Sequence, residues 1–188
     1  MKEYLDIVDE NGVPTGKIIE REAAHAEGVP HRTTHLWLLR KKDGAVQILL
    51  QKRAAVKSSF PGCYDISSAG HIPAGEDYVP SALRELEEEL GVSASAGDLI
   101  VCGDRRIVWD DRFFDKDYHD RQYTRVFFMW LDREEDDFVL QEEEVDSVRW
   151  MDLQACIEGV MSGAFENCIA MEELMMVKRV AFEKGGSL

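Results

Sequence analysis

Positive charge is scarce in this chain. Its 188 residues carry 22 Lys and Arg against 37 Asp and Glu, a formal net charge of −15. A nucleic-acid polymer or an anionic membrane surface needs a basic face, so neither is expected as a partner. A small phosphorylated substrate stays compatible, because divalent cations would bridge two negative partners. Cysteine is sparse too: Cys63, Cys102, Cys156 and Cys168 are scattered, with no CxxC pair. That excludes a zinc ribbon or a disulfide frame and fits reduced thiols. No apolar run approaches the roughly 20 residues needed to span a bilayer. The acidic opening MKEYLDIVDENG has no basic n-region and no apolar h-region, so no signal peptide is read and the cytoplasm is the expected location. No repeat, low-complexity tract or Pro/Gly/Ser-rich linker divides the sequence. With 45% hydrophobic residues it can bury one sizeable core, and residues 1–188 are read as one domain.

What is present in abundance is glutamate, concentrated in the run GHIPAGEDYVPSALRELEEELGV from Gly70 to Val92. The residues from Tyr78 to Leu90 are helix formers, with Pro80 in the first turn, where a missing N–H costs little, and Gly91 as a stop. At about 100° per residue, Glu85, Glu88 and Glu89 share one face, while Leu83, Leu86 and Leu90 form an apolar stripe that would dock on a sheet. Glu87 lies away from the trio. Like charges at this spacing cost a few tenths of a kcal/mol. A hard divalent cation, Mg²⁺ or Mn²⁺, would reverse that cost. By itself such a face reads equally well as a solvated one.

Gly70, Glu76, Arg84, Glu85, Leu86, Glu88, Glu89, Gly91 and Val92 together fill every fixed position of a Nudix box, and the chain resembles the Nudix hydrolases. That resemblance implies cleavage of a diphosphate linked to another group, on an α/β/α sandwich around a mixed β-sheet. It implies Mg²⁺ or Mn²⁺ on Glu85, Glu88 and Glu89, with Arg84 bracing Glu76 or Glu88. The general base varies in the family; candidates are a box glutamate, preferably Glu88, or one from the run ending in Glu144. Pairing as a homodimer is also frequent there.

A further likeness covers about Leu5 to Gly91. The stretches DENG, AAHAEGVPHR and LLQKRAAVKSSFPG, then the Gly70-His71 pair, resemble the isopentenyl diphosphate isomerase branch. It implies a second metal site from His25, His31 and His71, with Asp120 and Gln122 at the downstream ligand positions. It also places Lys52 and Lys57, beside Arg53, on the diphosphate. The isomerase's cysteine is replaced by Ala69, and neither Ala69 nor Gln122 can trade a proton; Cys63, six residues away, is a poor substitute. A pyrophosphohydrolase is therefore expected. An isomerase-like enzyme and a non-catalytic Nudix-fold binding module remain as alternatives. The histidine site is expected to be vestigial, because Gln122 offers only a neutral oxygen. His25, His31 and His35 read alternatively as caps or as partners of buried carbonyls.

The coarse element pattern supports strands with helices on both sides. A hairpin over residues 5–19 precedes a short helix at 20–27. Strands are expected at 35–40, 46–52, 64–67, 99–102, 121–131 and 144–151, with closing helices at 152–161 and 166–184. Between Cys102 and Gln122 an acidic, aromatic loop is expected. Its Trp109, Phe113, Phe114 and Tyr118 either cover a substrate moiety or pack the loop down.

Overall fold

The computed structural model describes residues 2–57, 59–113 and 115–184. Strands β1 (Tyr4–Val8) and β2 (Pro14–Glu20) form the expected antiparallel hairpin, and helix α1 (Arg21–Glu27) follows directly. A seven-stranded sheet carries the rest. Its main order is β5 (Tyr64–Asp65), β4 (Ala45–Arg53), β3 (His31–Lys42), β8 (Lys116–Trp130) and β7 (Ile100–Phe113). Strand β6 (Ser68–His71) pairs with the first half of β3, and β9 (Val145–Asp152) pairs with β4. Only β3 and β8 run parallel among these pairs, so the sheet is mixed.

Alternation along β3 divides the core into two layers. Leu36 and Leu38 pack toward α2 (Tyr78–Leu90), where Leu86 and Leu90 are fully buried. Trp37 and Leu39 pack on the other side, against Cys156 of α3 (Leu153–Ser162) and Val177 of α4 (Met171–Lys184). The result is the expected α/β/α sandwich. Burying one such leucine contributes roughly 1.5–3 kcal/mol. On α2 the docking stripe uses Ala82 where Leu83 was expected; Leu83 is only half-buried. The helix starts where Asp77 accepts from the Tyr78 N–H and stops at Gly91, whose φ of 63° suits a residue without Cβ.

The expected loop after Cys102 is instead a long hairpin. Strand β7 continues to Phe113 and pairs with β8 from Lys116 onward. Charge disguised it: Asp104 pairs with Arg125, and Asp110 with His119 and Arg121, across the two strands. The opposite face carries Arg105, Ile107 and Trp109, which line a cavity. Neither face is uniformly apolar, so a period of two in hydropathy is absent. Phe114 lies outside the described residues. Helix α4 begins at Met171, later than residue 166, because the chain before it runs along β5: Tyr64 N–H donates to the Glu166 carbonyl and Cys168 N–H to the Tyr64 carbonyl, each at 3.0 Å.

Candidate active site

Helix α2 presents its carboxylates at the end of β6. Glu89 is buried, 5% exposed, and accepts from the Ala69 N–H at 3.3 Å. Burial, followed by the neighbouring Glu85 charge, pushes its pKa up to about 8. Burial likewise pushes Glu85 up to about 7, against the opposing pull of Arg84. Gly70 is required by this arrangement, since a Cβ there would overlap the Glu85 carboxylate. Glu88 is exposed. Arg84 holds Glu85 through Nη2 at 2.8 Å and Glu88 through Nη1 at 2.9 Å. Of the two bracing partners expected for Arg84, Glu88 is one; Glu76 instead accepts from the Ser81 hydroxyl at 3.3 Å.

Strands β3, β6 and β8 and helix α1 bring His31, His71, Asp120 and His25 together, although the four are spread over 96 positions of sequence. Ligand-capable atoms of His25, His31 and His71 all lie within 4.8 Å of one another. His25 Nε2 is 3.0 Å from His71 Nε2, and His25 Nδ1 is 3.7 Å from Asp120. His25 Nδ1, His31 Nε2 and Asp120 Oδ1 are buried without a hydrogen-bond partner. His31 Nδ1 meets the Val29 carbonyl at 2.9 Å, so the carbonyl-satisfying alternative holds for that nitrogen. Burial lowers all three imidazoles, His25 to about 3, so they are neutral and each has one ring nitrogen able to act as a lone-pair donor to a metal. Burial raises Asp120 to about 6. Gln122 turns its amide to Asp120 at 3.0 Å and its oxygen to Thr33 at 3.1 Å.

These two groups border a cavity of about 450 Å³ on the α4 side of the sheet. Arg53 and Lys57 line it; Lys52, one residue away along the alternating strand, pairs with Asp146 at 3.2 Å outside it. Arg53 is tied to Asp65 at 3.0 Å and to the Ser59 carbonyl, and Lys57 is ion-paired with Glu144. Glu144 acts electrostatically on Glu89. Trp109 and Tyr118 line the cavity beside Phe60, and with Phe113 these rings also pack on each other at centroid distances of 5.1–6.1 Å. The packing reading of the aromatic stretch describes these ring contacts, and Trp109 and Tyr118 are placed on the cavity wall as well.

One feature of the cavity carries no sequence signature. Glu173 of α4 is buried and accepts from His35 Nδ1 at 2.9 Å, from Trp37 Nε1 at 2.8 Å and from Arg105. His35 neither caps a helix nor meets a carbonyl. Burial opposes its charge, but the Glu173 carboxylate prevails and holds His35 above the ordinary imidazole value. Among the described residues, no helix is long and apolar enough to cross a membrane.

Residues 29–165 match the family model of the NUDIX domain. Nudix hydrolase 3 of Arabidopsis thaliana is 36% identical over 153 residues, which is 80% of this chain but 19% of that protein. An uncharacterized Nudix hydrolase of Clostridium acetobutylicum is 33% identical over 144 residues, 77% of this chain and 67% of the relative. A Deinococcus radiodurans crystal structure shares the fold with a TM-score of 0.65 at 19% identity, covering 94% of this chain and 98% of its own. The NUDIX domain of Shewanella oneidensis NrtR, complexed with ADP ribose, gives a TM-score of 0.56 at 16% identity, covering 79% and 84%.

Proposed function

The chain belongs to the Nudix family, and we propose that it is a metal-dependent pyrophosphohydrolase acting on a small substrate in which a diphosphate is linked to a nucleoside or another group. The observation that supports this most is the crowding of Glu85, Glu88 and Glu89 on α2, with Glu89 reaching a cavity whose wall also carries Arg53 and Lys57. The donor set is all oxygen, and its buried members are unfavourable as free carboxylates. That fits Mg²⁺ or Mn²⁺. When bound, the cation would neutralise phosphate charge and favour ionisation of an attacking water.

The chain's own residues have separable tasks in this reading. Glu85, Glu88 and Glu89 hold the cation, and Arg84 fixes the first two in place. Arg53 and Lys57 contact phosphate oxygens as charged donors. Lys52 joins only a substrate long enough to extend past the cavity. Glu88 is the preferred acceptor of the water's proton because it is exposed to solvent beside its more buried partners. Glu144 is the alternative, and its ion pair with Lys57 would open as Lys57 turns to phosphate. The ADP ribose held by the Shewanella domain makes a nucleoside-diphosphate-linked substrate the leading class.

The isomerase alternative is not favoured. Ala69 stands where its thiol would be, and both ends of the Gln122 amide are already engaged. The test is turnover with Mg²⁺ across nucleoside triphosphates, dinucleotides, sugar nucleotides including ADP-ribose, and prenyl diphosphates. Released phosphate or monophosphate supports the hydrolase. Hydrogen-isotope exchange into isopentenyl diphosphate would support the isomerase, and Mg²⁺-independent binding without turnover would support a binding module.

The histidine cluster supports a second reading, which departs from the expectation of a vestigial site. Three neutral imidazoles converge, and the orphaned atoms of His25, His31 and Asp120 are costly unless something satisfies them. We propose that they hold a transition ion such as Zn²⁺ or Mn²⁺, which imidazole suits better than Mg²⁺ does. Its role is structural in this reading: it ties α1 to β3, β6 and β8 at the cavity wall.

A further inference from the structure

Resting on the hydrolase reading, we propose that His35 is a substrate-contact residue of the cavity, with its Nε2–H donating to an oxygen of the diphosphate. His35 and Ala69 are cross-strand partners on β3 and β6, so their side chains share a face of the sheet. The Ala69 N–H in turn donates to Glu89. The imidazole is thereby placed one strand from the carboxylate that would hold the cation, beside a methyl group too small to screen it. No box or spacing rule selects this residue.

Its orientation is fixed by a built support. His35 Nδ1 lies 2.9 and 3.0 Å from the two Glu173 oxygens, so the nitrogen left for a ligand is Nε2. Glu173 cannot turn away. It is 1% exposed and also accepts from Trp37 and Arg105, which saturate it without leaving unbalanced negative charge. Four elements besides β6 face the imidazole with charge: α4 with Glu173, β7 with Arg105, β5 with Asp65 and β8 with Asp120. Asp65 is neutralised by Arg53. The same cavity is lined by Arg21, Arg53, Lys57, Arg105 and His35 alongside Asp65, Glu89, Asp120 and Glu173, so a diphosphate would meet donors already held in place by ion pairs. A second charged donor opposite Arg53 and Lys57 would also fix which way the diphosphate lies.

The test uses the full chain and inorganic pyrophosphate as probe, by isothermal titration in Mg²⁺, for wild type, His35→Gln and His35→Ala. A charge-assisted hydrogen bond predicts about a tenfold or greater loss of affinity in His35→Ala. His35→Gln keeps an N–H donor without the charge and should fall between. Thermal melting of each variant reports folding separately; should the alanine variant fail to fold, the glutamine variant decides. Pyrophosphate binding by both folded variants within twofold of wild type overturns the proposal, and so does absence of binding by wild type. Turnover of the substrate panel by wild type judges the hydrolase reading independently. With turnover present, the two variants should lose kcat/KM in parallel with pyrophosphate affinity.

Discussion

Glu89→Gln should make the metal-free protein more stable while removing its activity. The substitution keeps the size of the side chain and deletes a charge that is 5% exposed and accepts one backbone N–H. The carboxyl is ordinarily half-protonated near 4.5 and here is raised to about 8, chiefly by burial and then by Glu85. Below about pH 4.5 it is protonated both folded and unfolded, and contributes no penalty. Between that value and about 8 the unfolded chain ionises first, so native stability falls as pH rises; above 8 the penalty is constant. At about 1.4 kcal/mol per unit, the ceiling on this penalty is about 5 kcal/mol. Part of it belongs jointly to Glu85, so a gain of about 1–3 kcal/mol is expected for Glu89→Gln at pH 8. For a chain of this length that is a rise of about 2–10 °C in Tm. Melting curves in chelator at pH 4, 6 and 8 provide the assay, with the gap between variant and wild type opening as pH rises. Saturating Mg²⁺ should then stabilise wild type and leave the variant unmoved. Equal melting at pH 8, or a less stable variant, would refute the placement of Glu89 as a strained buried carboxylate.

Glu88→Gln should also lose most turnover on the best panel substrate, but its exposed side chain predicts a stability change within about 0.5 kcal/mol at every pH, readable in the same melts. Gly70→Ala should displace the Glu85 carboxylate, costing about 1–3 kcal/mol by overpacking and reducing kcat through the misplaced ligand; unchanged kinetics in a folded Gly70→Ala protein would contradict the close approach seen here. Metal analysis of protein purified without chelator should find about one tightly held transition ion per chain for a three-imidazole site, lost in His31→Ala; a clean apo protein would return the cluster to the vestigial reading.

The parts of this molecule that were legible in its sequence are those in which one local pattern determines the outcome. The bounds of α2 follow from its helix formers, Pro80 in the first turn and Gly91, all within one segment, and its carboxylate face follows from helical spacing alone. The hairpin of β7 and β8 was hidden by the same physics that makes it useful. One face of β7 lines a polar cavity and the other meets solvent through Asp104 and Asp110, so hydrophobic alternation never develops. Alternation also separates Lys52 from Arg53, a distinction that a basic cluster in text cannot show. The hardest feature to read was His35 with Glu173, 138 positions apart, because their meeting depends on α4 lying over the face of β3. Helix docking is decided by summed apolar burial and not by either residue. Once Trp37 and Val177 place that helix, however, a buried carboxylate has few ways to be satisfied. His35, Trp37 and Arg105 supply them, and His35 lines the cavity in which the proposed diphosphate would lie.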